Sequence, residues 1–114
     1  SADAPAAPAG VKRTELQRWD VPGTAYTGVN VTVDFEPNAA LGLHTHPGVE
    51  MTYVMSGSVT LSVKGQPDKT YKAGEFFKID GNVPHSAKNA SAVPFKGVTT
   101  YVVEKDKPLA TPVK

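Results

Sequence analysis

The stretch His44-Thr45-His46-Pro47-Gly48-Val49-Glu50, answered much later by His85, decides how this chain is read. Together they hold all three histidines of the sequence. On a β-strand successive side chains face opposite sides, so His44 and His46 point the same way. Two imidazoles side by side repel once protonated, and Glu50 supplies a compensating negative charge. Pro47-Gly48 bends the chain, and a fold-back there can bring Glu50, at the head of the next strand, near the pair. His85 follows Gly81-Asn82-Val83-Pro84, a turn that aims it back into the sheet. Three imidazole nitrogens and one carboxylate oxygen suit a divalent transition metal of borderline softness.

Outward from this stretch the chain reads as short strands cut by turns, with no helical period. Val29, Val31, Val33 and Phe35 alternate with Asn30, Thr32 and Asp34, which predicts a strand with one buried face. Val59, Leu61 and Val63 repeat the pattern. Between them Ser56-Gly57 ends the apolar run Met51–Met55, and a hairpin is expected there. Simple alternation from Glu50 turns Thr52 and Val54 inward and leaves Met51, Tyr53 and Met55 on the other face. Further turns are expected at Gly65-Gln66-Pro67-Asp68, Lys72-Ala73-Gly74 and Asp80-Gly81-Asn82, with a short strand at Phe76, Phe77 and Ile79. A last long strand runs from Phe95 through Val103. Many short strands at regular spacing point to an all-β sandwich or barrel. An immunoglobulin-type sandwich would place a cysteine pair or a tryptophan in its core; the chain has no cysteine, and its single Trp19 precedes the first clear strand, so a barrel is preferred.

With 114 residues the chain makes one domain, expected over 15–107. Residues 1–14 are Ala/Pro-rich and poor in large apolar groups, which predicts a flexible N-terminal arm; residues 108–114, with Pro108 and Pro112, are expected to form an extended tail. The arm fits a chain whose signal peptide has been removed, so a periplasmic or secreted location is expected, with the cytoplasm as the alternative. Without cysteine there is no thiolate nucleophile, iron–sulfur cluster or Cys-bound zinc. A formal charge of +1 and the lack of a Lys/Arg block give no support to nucleic acid as a partner. No apolar run approaches the roughly 20 residues of a membrane-spanning helix, so no membrane partner is expected.

Two motifs carry a family resemblance. His44-Thr-His46-Pro-Gly-Val-Glu50, followed by six residues and Gly57, resembles the first motif of the cupin superfamily. Gly74, Asp80-Gly81-Asn82, His85 and Asn89 resemble the second, at matching spacing. The departures are Asn38 where a glycine usually opens the first motif, Asp80 and Asn82 in place of Pro and Gly, and an added Pro84. All touch turn residues. The resemblance implies a double-stranded β-helix, or jelly-roll barrel, holding one divalent transition metal ion (Fe, Mn, Ni, Co, Cu or Zn) on His44, His46, Glu50 and His85. It also implies a homodimer.

Such a site would leave a doubly charged ion with one net positive charge and open positions for a small-molecule ligand. Once the ion takes all three imidazoles, none is left as a general base or to activate Ser86. Asp34 and Glu36 share one strand face opposite Val33 and Phe35 and read as solvated surface. Phe35, Phe77, Tyr101 and Val102 are candidate cavity residues, and few charges are expected inward, which favours a small, partly apolar or chelating substrate. Three functions are compatible with this site: a dioxygenase-like oxidoreductase on a small chelating substrate, a non-redox isomerase or lyase on a sugar acid or oxo-acid, or a non-catalytic binding module.

Overall fold

Alternation builds the first sheet of the computed structural model, which describes Asp3 and residues 6–114. In β2 (Tyr26–Phe35) Val29, Val31, Val33 and Phe35 are buried, while Thr32 and Asp34 between them are partly exposed. The strand pairs along its whole length with β9 (Phe95–Glu104), from Phe35 opposite Phe95 to Tyr26 opposite Glu104. β9 alternates in the same way, burying Phe95, Gly97, Thr99, Tyr101 and Val103. With β1 (Val11–Asp20), β4 (Gly48–Ser56) and β7 (Phe76–Ile79) they form one antiparallel sheet in the order β1-β2-β9-β4-β7. The second sheet runs β10-β3-β8-β5-β6, from β3 (Ala40–Thr45), β5 (Ser58–Val63), β6 (Lys69–Lys72), β8 (His85–Lys88) and β10 (Thr111–Pro112). Two five-stranded sheets facing each other, with no helix among the described residues, make the all-β jelly-roll barrel.

The core lies between the inner faces. Phe35 and Phe95 meet edge to face, with ring centroids 5.5 Å apart. Val54, Val59 and Val103 fill the space around them. Each such side chain contributes about 1.5–3 kcal/mol by leaving water.

Three expectations need correction. Ser56-Gly57 makes no hairpin, because β4 and β5 belong to different sheets: β4 pairs with β9 and β7, β5 with β6 and β8. The chain turns a barrel corner there. Gly57 has φ +71°, and a methyl group on it would collide with the Pro94 carbonyl oxygen, so both backbone angle and space require glycine. The arm expected over 1–14 is shorter, since Val11 to Thr14 already pair with Phe35 to Thr32 in β1; residues 1, 2, 4 and 5 lie outside the described residues. The tail over 108–114 is extended but integrated. Leu109 is buried in the core, and β10 pairs with the end of β3, Thr111 opposite Thr45.

Two of the departures from the motif pattern, Asn38 and Asn82, are explained by backbone geometry. Asn38 (φ 67°) and Asn82 (φ 62°) both occupy the left-handed region. Asparagine tolerates that region better than other residues bearing a Cβ, so it can stand where glycine is usual.

Candidate metal centre

The site is assembled from both sheets. β3 and β8 place His44 directly opposite His85, after a bulge in which Gly42 and Leu43 of β3 oppose the single Ser86 of β8. Such a bulge re-aims the side chain that follows it. His46 stands just past the end of β3, at the corner where the chain leaves for the other sheet. Its carbonyl accepts the Asn82 amide at 2.8 Å, tying the corner to the turn before His85. Glu50 comes from β4 in the facing sheet, opposite Tyr101 on β9 and Ile79 on β7. Thus the fold-back expected at Pro47-Gly48 occurs across the barrel rather than between paired strands.

The three imidazoles meet, with ring centroids 4.8 Å apart for His44 and His46, 4.2 Å for His44 and His85, and 4.9 Å for His46 and His85. Their ligand nitrogens lie within 4.8 Å of one another. Every Nδ1 faces a backbone carbonyl: His44 that of Gly42 at 2.6 Å, His46 that of Leu109 at 2.8 Å, and His85 that of Val83 at 2.9 Å. A carbonyl can only accept, so each Nδ1 carries its proton and donates. In the neutral ring this leaves Nε2 as a bare lone pair, the form that binds a metal. The Nε2 atoms of His46 and His85 are buried and have no hydrogen-bond partner. Glu50 Oε1 approaches them at 3.1 and 3.5 Å without hydrogen-bond geometry. Buried polar atoms are seldom left unsatisfied, and these face a carboxylate oxygen across one small space. The three histidines and the glutamate form a cluster that fits a single metal ion.

The carboxylate is itself positioned. Thr52, inward as expected, donates through Oγ1 to Glu50 Oε2 at 2.8 Å. With that proton committed, Thr52 Oγ1 accepts from Thr99 Oγ1, its cross-strand partner, at 2.7 Å. Oε2 is thereby held by a hydroxyl pair, and Oε1 is the oxygen turned to the histidines.

Electrostatics keep the donors in complementary states. Burial pushes the His44 imidazole down to about 4, and the neighbouring His85 and His46 add to this against the Gly42 carbonyl. Burial alone would raise Glu50, but His46 and His85 beside it prevail and hold the carboxyl well below the usual range. For His85, burial opposes protonation, yet the Glu50 carboxylate and the Val83 carbonyl outweigh it and raise the pKa. A basic His85 facing an ionised Glu50 is a pairing that a cation can replace.

The structure brings together all four residues singled out by spacing. Val54 points inward and Met51, Tyr53 and Met55 outward, as alternation predicts. Phe35, Phe77 and Tyr101 line the barrel interior, where a cavity of about 40 Å³ adjoins His44, Glu50 and His85. Val102 does not line it; it lies on the opposite face of β9 from the buried Tyr101 and Val103. Asp34 is a surface residue beside Lys96, 3.5 Å away.

Arg13 was missed. It faces inward on β1, opposite Val33, and its Nη2 donates to the Tyr101 hydroxyl at 3.1 Å. The Tyr101 ring packs against His46 at 4.8 Å between centroids. Burial, with the Glu50 charge, raises the Tyr101 hydroxyl above its usual range despite Arg13 nearby. Arg13, His44, His46 and Tyr101 line a second, larger cavity of about 210 Å³ at the mouth of the barrel. The inward spacing Val11-x-Arg13 was the available signal, masked because a bulge between Glu15 and Gln17 breaks the alternation of β1.

Comparison with known proteins agrees with this architecture. No curated protein matches the sequence. Among solved structures, an uncharacterized conserved protein with a double-stranded β-helix domain from Klebsiella pneumoniae superposes with a TM-score of 0.74 at 19% identity, over 97% of this chain and 90% of that one. Oxalate oxidase in complex with the substrate analogue glycolate gives a TM-score of 0.72 at 26% identity, over 93% of this chain and 56% of that one. The DMSP lyase DddQ from Ruegeria pomeroyi gives 0.68 at 16% identity, over 75% of this chain and 43% of that one. The family description "Cupin domain" matches residues 31–101. That span runs from the middle of β2 to Tyr101 and includes all four clustered side chains, so the chain belongs to the cupin family.

Proposed function

We propose that the protein binds one divalent transition metal ion through His44, His46, Glu50 and His85 and acts as a dioxygenase-like oxidoreductase on a small chelating substrate. The observation that carries this reading is the commitment of all three Nδ1 atoms to carbonyls, which turns the Nε2 atoms toward one another, those of His46 and His85 buried and facing the Glu50 carboxylate. When bound, an iron- or manganese-type ion supplies a Lewis acid and a redox couple next to the substrate. The chain's own residues do the rest. Thr52 and Thr99 hold the carboxylate, and the carbonyls of Gly42, Leu109 and Val83 hold the imidazoles in one tautomer. Val59, Leu61 and Phe77 keep water from the inner wall.

The likeness to oxalate oxidase supports the oxidoreductase reading and a small acid as substrate, although this chain spans only 56% of that protein. The test is elemental analysis of protein purified from its own source without added metal, followed by oxygen uptake with small chelating acids. Iron or manganese near one ion per chain, together with oxygen consumption, is expected. Zinc alone, with turnover that persists under anaerobic conditions, would move the assignment to a non-redox isomerase or lyase. We also propose a homodimer, supported by the exposed apolar face of Met51, Tyr53, Met55 and Phe76 on the outer side of β4 and β7.

A further inference from the structure

Beside the four clustered side chains, Arg13 points into the barrel without an ionic partner among the described residues. Arg13 is partly buried at the mouth, forms no ion pair with a described carboxylate, and has a buried Nε with no hydrogen-bond partner. Its guanidinium lies 5.7 Å from the centre of the Tyr101 ring, and among the described residues its hydrogen bond is that of Nη2 to the Tyr101 hydroxyl. A guanidinium carries five N–H donors in a planar fork that matches a carboxylate. Holding that charge against apolar walls such as Leu41, Ala110 and Pro112 is unfavourable unless an anion joins it. The same cavity is lined by His44 and His46, so a ligand held at Arg13 lies within reach of the imidazole cluster.

We propose that Arg13 is a substrate-binding residue that receives the carboxylate of a small organic acid whose second oxygen donor is directed to the histidine–glutamate cluster. The inference rests on the metal-site reading for the second contact, but the Arg13 contact stands by itself. It narrows the substrate from any chelator to a small carboxylic acid bearing a further carboxylate, keto or hydroxyl oxygen. Arg13 enters as a fixed positive charge and contributes no proton.

The experiment is isothermal titration of the full chain, as purified, with oxalate, pyruvate and succinate, and with methyl pyruvate as a probe lacking the charged carboxylate. Arg13→Gln should weaken binding of the acid that binds wild type best by about tenfold or more, since charge-assisted contacts are lost. Arg13→Lys should lie between the two. Metal content should be unchanged in both variants, and methyl pyruvate should not distinguish them from wild type. In wild-type protein, without any substitution, the Arg13 Nε–H resonance should shift when the acid is added. Equal affinity of wild type and Arg13→Gln, an unmoved Nε–H resonance, or failure of all three acids to bind wild type would overturn the proposal. A protein without metal in which Arg13→Gln still abolishes acid binding would overturn the metal reading while leaving the Arg13 contact intact.

Discussion

Thr52 is not among the four clustered donors, yet it decides which carboxylate oxygen faces them. Its hydroxyl pins Glu50 Oε2 and is itself supplied by Thr99. Thr52→Val keeps shape and burial but removes the donor. It should lower metal affinity by about 10–100-fold, measured by competition with a chromophoric chelator. The orphaned Thr99 hydroxyl costs only about 1 kcal/mol of stability. A second prediction at this scale concerns acid. In the metal-free protein the His44 imidazole titrates at about 4 rather than 6.5, so below pH 6.5 the unfolded chain takes a proton that the folded one refuses. Stability should therefore fall as pH drops from 6.5 toward 4. The raised pKa of His85 works on the other side: its stabilisation is complete below 6.5 and is lost as pH rises through the folded value. Glu50 adds a further loss below 4.5, where the unfolded carboxyl protonates first. Urea midpoints across pH, with chelator present, should show the decline in wild type and a shallower one in His44→Gln. A flat wild-type profile would contradict the His44 assignment.

Elements supply what the motifs do not contain. The C-terminal segment provides the Leu109 side chain to the core and the Leu109 carbonyl to His46 Nδ1. Leu109→Ala should cost about 2–5 kcal/mol by urea unfolding, since a fully buried leucine leaves a cavity. A loss below 1 kcal/mol would show that the segment is not docked in solution. Pro108 and Pro112 made this stretch read as an extended tail outside the domain, because one large apolar residue between prolines has no periodicity to detect. The same limit applies to pairing. Alternation identified β2, β5 and the facing of β4, where Thr52 and Val54 alternate with Met51 and Tyr53. It carries no information about which strand lies beside which. Ser56-Gly57 therefore read as a hairpin, although it is a corner between sheets. In β1 the alternation is interrupted by a bulge, so neither the strand nor the inward Arg13 stood out.

The barrel as a whole explains why distant residues converge. His44 and His85 share one sheet, Glu50 is offered by the other, and His46 sits at the corner joining them. The four were legible because metal ligation demands side chains of few types, and the chain spends all of its histidine on them. On the outer face of β4 and β7, Tyr53 and Phe76 stack at 4.7 Å between centroids while Phe76 remains 69% exposed. If this face pairs two copies, light scattering should report twice the 12.0 kDa chain mass, and Phe76→Glu should return it to the monomer value. A monomeric wild type would refute the homodimer. The central claim is that one ion sits among His44, His46, Glu50 and His85, and anomalous scattering from a crystal of the metal-loaded protein tests it most directly. A single peak about 2.0–2.2 Å from the three Nε2 atoms and Glu50 Oε1 is predicted. An absent peak, or one held by other side chains, would contradict it.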